Sequence, residues 1–276
     1  YTIALMADFR VKINCRLIDY LTDIGYTRTK TKQLFKHRSI AVNGKVVQSL
    51  THLLLKGDTV SVSKDQKDTK AALPAGMKII YEDEAIVVIE KPAGLLTIAS
   101  ETEKMKTAYY QLNEFLMLRN PKAGERIFIV HRLDRDTSGL IVFARNEDVK
   151  RALQQNWKEV EKRYYAVVEG TPGKKEGEIK SSLRETKSLR VYSDPHSDEA
   201  KPSITKYRVL KPGRGYALLD ILLKSGRKNQ IRVHLSDIGH PVAGDKKYGA
   251  KNNPLNRLGL YAYLLSFKHP KSGKQL

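Results

Sequence analysis

The sequence runs to 276 residues, 41% of them apolar, with 50 Lys and Arg against 30 Asp and Glu, a formal charge of +20 and a sequence pI near 9.8. That is enough chain to bury a core and to form one large domain plus a small one. No run of roughly 18 apolar residues marks a membrane span, no cationic-then-apolar leader opens the chain, and the lone Cys15 excludes an internal disulfide, so an intracellular, cytoplasmic protein is expected.

In chain order, "CRLIDYLTDIGY" sets Leu17, Ile18, Leu21 and Ile24 at helical spacing, with Gly25 as its terminator. Cys15 at its head reads as a small core residue and not a nucleophile, because no His-centred pattern surrounds it. "TRTKTKQLFKHRSIAVNGKVV" reads as a short basic helix and then a hairpin turning at Asn43-Gly44. A second turn at Gly57-Asp58 leads into the alternating strand "TVSVS". Residues 65–77 lack apolar periodicity and end in Ala, Pro and Gly, the composition of a linker. The expected domains are therefore 1–64 and 78–276.

Charge follows the same division. Residues 1–64 hold 11 basic and 4 acidic residues, and residues 78–276 hold 37 and 24, so each part is basic in its own right. Neutralised phosphates release counterions, which makes a polyanion the simplest partner class. The helix–helix–hairpin order of residues 8–64, with Arg28, Lys30, Lys32, Lys36 and Arg38 around its second helix, resembles the S-four-like RNA-binding domain named after a ribosomal protein. The resemblance implies that this basic face contacts phosphate.

Beyond the linker, "MKIIYEDEAIVVIEKPAGLLTIAS" alternates strand-like runs with a turn at Lys91-Pro92-Ala93-Gly94. "IFIVHRLDRDTSGLIVFARN" reads as strand, loop, strand. "EDVKRALQQNWKEVEK" has helical spacing at Val149, Leu153 and Trp157, and "RYYAVVEG" is a strand. "YALLDILLKSGRKNQIRVHLSDIGHPV" gives a strand, a turn, a helix and an exit at Gly239 and Pro241. Strands joined by turns outnumber helices, which predicts an α+β domain with a mixed, largely antiparallel sheet.

Several chemistries fail on spacing. There is no Cys pair or HExxH for zinc, no GxxxxGK[ST] or strand-placed GxGxxG for nucleotides, and no GxSxG elbow. A site without cofactor or metal, built from Asp, Arg and Tyr, is what remains. By itself, Asp134 between Arg132 and Arg135 would read as a surface ion pair. Tyr164 would read as a strand aromatic and Arg232 as a solvated helix residue.

"HRLDRDTSGLIVFAR" changes that weighting, because it closely resembles the catalytic motif of the RluA-type RNA pseudouridine synthases. "IIYEDEAIVVIEKPAGLL", "KRYYAVVEG" and "LKSGRKNQIRVHLSDIGHPVAGDKKYG" resemble three further family blocks in the right order, spanning about residues 78–269. The resemblance implies a monomer that isomerises uridine in RNA, large-subunit rRNA first and tRNA second, without cofactor. It makes Asp134 the essential carboxylate, as nucleophile or as base, Arg232 its pairing cation and Tyr164 the ring that stacks on the uracil. Arg132 would occupy the space left by the extruded nucleotide and meet phosphate, with Arg135 and Arg227 also on the RNA side. His131 is expected to be a structural loop residue.

Two departures stand out. Asn229 replaces the family's histidine after Gly226-Arg227-Lys228 and cannot titrate. A chain stopping at Leu276 is expected to lack the strand and Pro-rich segment with which the family commonly ends. The alternative function is a catalytically inert RNA-binding or ribosome-assembly factor on the same fold, and a hydrolytic RNA glycosylase ranks third.

Overall fold

The computed structural model describes residues 6–36, 39–63, 73–120, 126–186 and 188–276. Its contacts divide the chain into two units, Tyr1–Lys70 and Ala71–Leu276.

In the first unit, helices α1 (Leu17–Asp23) and α2 (Arg28–Lys36) accompany six short strands: β1 (Met6–Arg10), β2 (Cys15–Arg16), β3 (Ile40–Val42), β4 (Lys45–Val46), β5 (Leu53–Leu54) and β6 (Thr59–Ser63). Four of them form an antiparallel sheet in the order β1-β6-β3-β4, and β2 pairs with β5. The β3–β4 hairpin turns at Asn43 and Gly44, both at positive φ (48° and 76°), the backbone that matches the twist of its strands. Leu17, Leu21, Ile40, Leu54 and Val60 are fully buried in the core, and Cys15 packs against its edge. Burial, and the charges of Asp23 and Asp19, push the Cys15 thiol pKa up, which opposes thiolate chemistry.

The second unit is built on ten strands: β7 (Lys78–Glu82), β8 (Ile86–Lys91), β9 (Phe128–Ile129), β10 (Ser138–Ala144), β11 (Glu161–Glu169), β12 (Glu176–Glu185), β13 (Val191–Ser193), β14 (Lys201–Pro212), β15 (Tyr216–Leu223) and β16 (Leu260–Ser266). They lie in the order β13-β12-β14-β15-β11-β16-β10-β8-β7, with β9 beside β10. Among the described strands, every pairing is antiparallel except β10 with β16. Three helices join them: α3 (Ala108–Arg119), α4 (Glu147–Gln155) and α5 (Gln230–Asp237).

The period of two in β8 and β10 feeds two separate cores. Val87, Ile89, Ile141 and Phe143 face Leu112 and Leu116 of α3, whereas Ile86, Val88 and Val142 face Val149 and Leu153 of α4. Burial on both faces explains why "GLIVFA" reads as one apolar run. A third core joins Ala166, Val168, Leu219 and Ile221 of the sheet to Ile231 and Leu235 of α5.

Three readings need correction. The expected linker 65–77 is not free at its C-terminal end, because Leu73 and Met77 pack into the core beneath α3. The helix expected to run through Trp157 ends at Gln155, and the Trp157 ring instead packs tilted against His131, with ring centroids 4.4 Å apart and planes at 34°. Helix α3 was not anticipated; it is capped by Thr107, whose hydroxyl accepts from the Tyr110 N–H at 3.1 Å.

Candidate active site

The loop from His131 to Thr137 joins β9 to β10 and is held at each end by buried groups. The Thr97 hydroxyl donates to the Leu133 carbonyl at 2.7 Å and accepts from the Leu133 N–H at 3.1 Å. Lys91, fully buried at the end of β8, donates to the carbonyls of Pro92 (2.9 Å), Leu95 (2.7 Å) and Arg135 (3.0 Å). Burial lowers its pKa to about 8, with Asp136 and Asp134 opposing the fall. Asp134 thus sits between two pinned residues, and its own carbonyl accepts from the Thr137 N–H at 3.2 Å. His131 serves the scaffold: its Nε2 accepts from the Val142 N–H at 3.1 Å, and burial drives its pKa to about 3, leaving it neutral.

The chain behind the loop is equally constrained. Gly139 has φ 119°, and a Cβ there would stand 2.2 Å from the carbonyl oxygen of Ala262 in β16. Gly139 of the loop motif is therefore required by close strand contact. Tyr164 on β11 pairs with Ala262 on its other side, so β16 spaces the loop from the tyrosine.

Asp134, Tyr164 and Arg232 line one small inner pocket of about 80 Å³, with Leu133, Leu223, Ile231 and Leu260 as its apolar walls. It shares Arg132, Asp134, Asn229 and Arg232 with an outer cleft of about 850 Å³. Burial raises the Asp134 pKa; Arg232, Arg132, Lys228 and the Asn229 N–H counter it. Asn229 precedes α5 in the left-handed region (φ 53°), which asparagine tolerates well, and directs that N–H at the carboxylate. Burial, and then the Asp134 charge, raise the Tyr164 pKa beyond the usual phenol range, so its ring is a neutral platform.

Arg232 approaches Asp134 at 3.9 Å, but its fork grips another carboxylate. Its Nε and Nη2 donate to Asp245 at 2.6 and 2.8 Å, while Nη1 donates to the Asn229 Oδ1 at 3.0 Å. Arg132 is exposed and lines both cavities; Arg135 lines the outer one and pairs with Asp136 at 3.0 Å; Arg227 is exposed at the rim of the inner one. Arg28, Lys30 and Lys32 are exposed on α2 in the first unit, whereas the Lys36 side chain and Arg38 lie outside the described residues. Sequence reasoning passed over Lys91, Asp245 and Tyr248, although all three stood inside quoted blocks.

The comparisons with known proteins identify the family. A sequence model of the RNA pseudouridylate synthase family matches residues 85–237, more than half of the chain. The chain belongs to that family. It is 32% identical over 259 residues to the RNA pseudouridine synthase YlyB of Bacillus subtilis, covering 92% of this chain and 85% of that one. It is 30% identical over 272 residues to ribosomal large subunit pseudouridine synthase D of Escherichia coli K12, covering 91% and 81%. Human RNA pseudouridylate synthase domain containing 4 shares the fold, with a TM-score of 0.60 and 24% identity over 72% of this chain and 85% of that one. The protein is therefore an isomerase that makes pseudouridine in RNA.

Proposed function

We propose that the enzyme isomerises uridine in large-subunit ribosomal RNA, with Asp134 as its reacting carboxylate. The observation that carries this reading is the shared inner pocket, where Asp134 meets the neutral ring of Tyr164 and the guanidinium of Arg232. A flipped uracil is flat and uncharged, which suits an aromatic platform between apolar walls. Isomerisation breaks the bond from nitrogen 1 to the ribose and joins carbon 5 in its place, so no redox partner is needed. Asp134 acts as nucleophile or as base at the ribose. Its raised pKa marks a carboxylate that keeps basicity, while the surrounding cations hold enough of it ionised to react.

Arg132, exposed beside Asp134, meets phosphate and fills the space that the extruded nucleotide leaves. The first unit supplies affinity through Arg28, Lys30 and Lys32. A ribosomal substrate is favoured over tRNA by the similarity to the large-subunit enzyme. An inert RNA-binding factor would have no use for a carboxylate held in a desolvated pocket. The lone cysteine and an RNA substrate fit a reducing, cytoplasmic compartment. The test is pseudouridine mapping across total RNA with and without the gene. One or more large-subunit sites lost in the deletion support the proposal, and losses confined to tRNA reject the ribosomal assignment.

A further inference from the structure

We propose that Asp245 is a positioning residue of this enzyme: it holds Arg232 by the fork and so limits how far that arginine can neutralise Asp134. The inference rests on the reading of Asp134 as the reacting carboxylate.

The grip is built for rigidity. The Asp245 side chain is 1% exposed and takes Arg232 Nε at 2.6 Å and Nη2 at 2.8 Å, the two-pronged arrangement in which a guanidinium and a carboxylate fit best. Its own turn is tied down, with Asp245 N–H donating to the Val242 carbonyl at 3.0 Å and the Asp245 carbonyl accepting from Tyr248 and Ala250, each at 3.1 Å. Gly244 before it has φ 81°, and a Cβ there would meet the Arg257 carbonyl at 2.5 Å, so that turn leaves no room for a side chain. The Tyr248 ring lies 5.0 Å from the Arg232 guanidinium, and its hydroxyl accepts from the Asn229 Nδ2 at 2.9 Å. Asn229 in turn takes Arg232 Nη1. Three side chains therefore fix the plane of the guanidinium before Asp134 meets it.

The consequence is electrostatic. A free guanidinium would close on Asp134 and hold it as a fully ionised, weakly basic ion pair. One already committed to Asp245 stands off at 3.9 Å, and the Asp245 charge itself opposes ionisation of Asp134. Other charged or titratable groups around Asp134 include Arg132, Arg135 and Asp136 from its own loop, Lys228 beside α5, Lys91 from β8, Tyr164 from β11 and Lys247 after Asp245. Lys228 is itself paired with Glu185. Asp245 is the carboxylate that neutralises the arginine nearest the reacting group.

The test replaces Asp245 by Asn, which keeps size and one acceptor but removes the charge. Carbon-13 titration of aspartate carboxyls in the RNA-free protein reports Asp134 directly, its signal assigned by loss in Asp134→Asn. In Asp245→Asn the Asp134 titration is expected to fall by about one pH unit, the scale of one charge removed at an effective dielectric of about 20. The acid limb of kcat should move the same way, kcat should fall by about 10²-fold, and the Kd for RNA should hold. Asp245→Glu, which keeps the charge, should restore the limb. If the pair only braces the fold, Asp245→Asn lowers Tm while the Asp134 titration and the acid limb stay at their parental positions, and the proposal is overturned. Where Asp245→Asn is too unstable to titrate alone, the same titration in sucrose, which favours the folded state, reads the same coupling, and an unmoved Asp134 titration overturns the proposal. The titration needs no turnover, so a parental protein that made no pseudouridine would refute the functional reading and not this coupling.

Discussion

Gly139→Ala tests how tightly the active-site loop depends on its strand. The added methyl would stand 2.2 Å from the Ala262 oxygen and 2.6 Å from the Ala262 nitrogen, against ordinary contact beginning at 3.4 Å. Both are backbone atoms of β16 and cannot rotate aside, so β10 and β16 must part by about 1 Å. Overpacking of this kind costs about 1–3 kcal/mol, and holding an L-residue at φ 119° costs about 1–3 kcal/mol more. A total near ~4 kcal/mol lowers the Tm of a unit this size by about 8–16 °C. Because β16 lies between β10 and β11, the same displacement moves Asp134 away from Tyr164, and a shift of about 1 Å is enough for about 10²-fold in turnover. Calorimetry and tritium release from 5-tritiated uridine in RNA read the two effects. Parental Tm and parental turnover in the Ala variant would refute the argument.

Further expectations follow from the same structure. Arg232→Lys keeps the charge but loses the fork on Asp245, and turnover should fall about 10- to 100-fold, the equivalent of about 1.5–3 kcal/mol; near-parental turnover would count against it. His131→Phe leaves the Val142 N–H without its acceptor and should destabilise by about 1–3 kcal/mol while leaving both limbs of the pH–rate profile in place. Since the folded His131 pKa of about 3 lies below its ordinary 6.5, the parent should lose stability as pH falls from 6.5 towards 3, and the Phe variant should lack that contribution. A limb that vanished in the Phe variant would make His131 a proton carrier after all. Replacing Arg28, Lys30 and Lys32 by Ser should flatten the salt dependence of RNA binding by up to ~2 in log–log slope and leave kcat at saturating RNA unchanged; an unaltered slope would remove α2 from the RNA surface.

Much of the site could be read in the sequence because its residues cluster in short blocks whose order is itself informative. Asp134 and Gly139 share one loop and strand, and Arg232 follows Asn229 within the first turn of α5. What could not be read was set by partners far apart in the chain. Asp245 meets Arg232 from 13 residues on, and Lys91 pins Arg135 across 44, contacts that neither periodicity nor composition encodes. Helix α3 escaped notice because apolar residues such as Tyr109, Phe115 and Met117 surround it on several faces and blur the helical stripe. The paired strands β12 and β14 were missed for the opposite reason: most of their exposed positions carry charge, and they hold few buried apolar residues. Asn229, noted only as a departure, proved to supply the left-handed turn into α5 and a ligand for Arg232.

The most direct test of the account is Asp134→Asn, which preserves shape and much of the hydrogen bonding while removing the charge. Carbon 5 of uridine loses its hydrogen only when the new glycosidic bond forms, so tritium release reports the chemistry itself. The variant should bind substrate RNA with parental affinity and release no tritium. Its Tm should match or exceed the parent's, because an ionised carboxylate whose pKa is raised by burial weighs against the folded state at neutral pH. Tritium release by the Asn variant near the parental rate would contradict the assignment of Asp134 and the mechanism built on it.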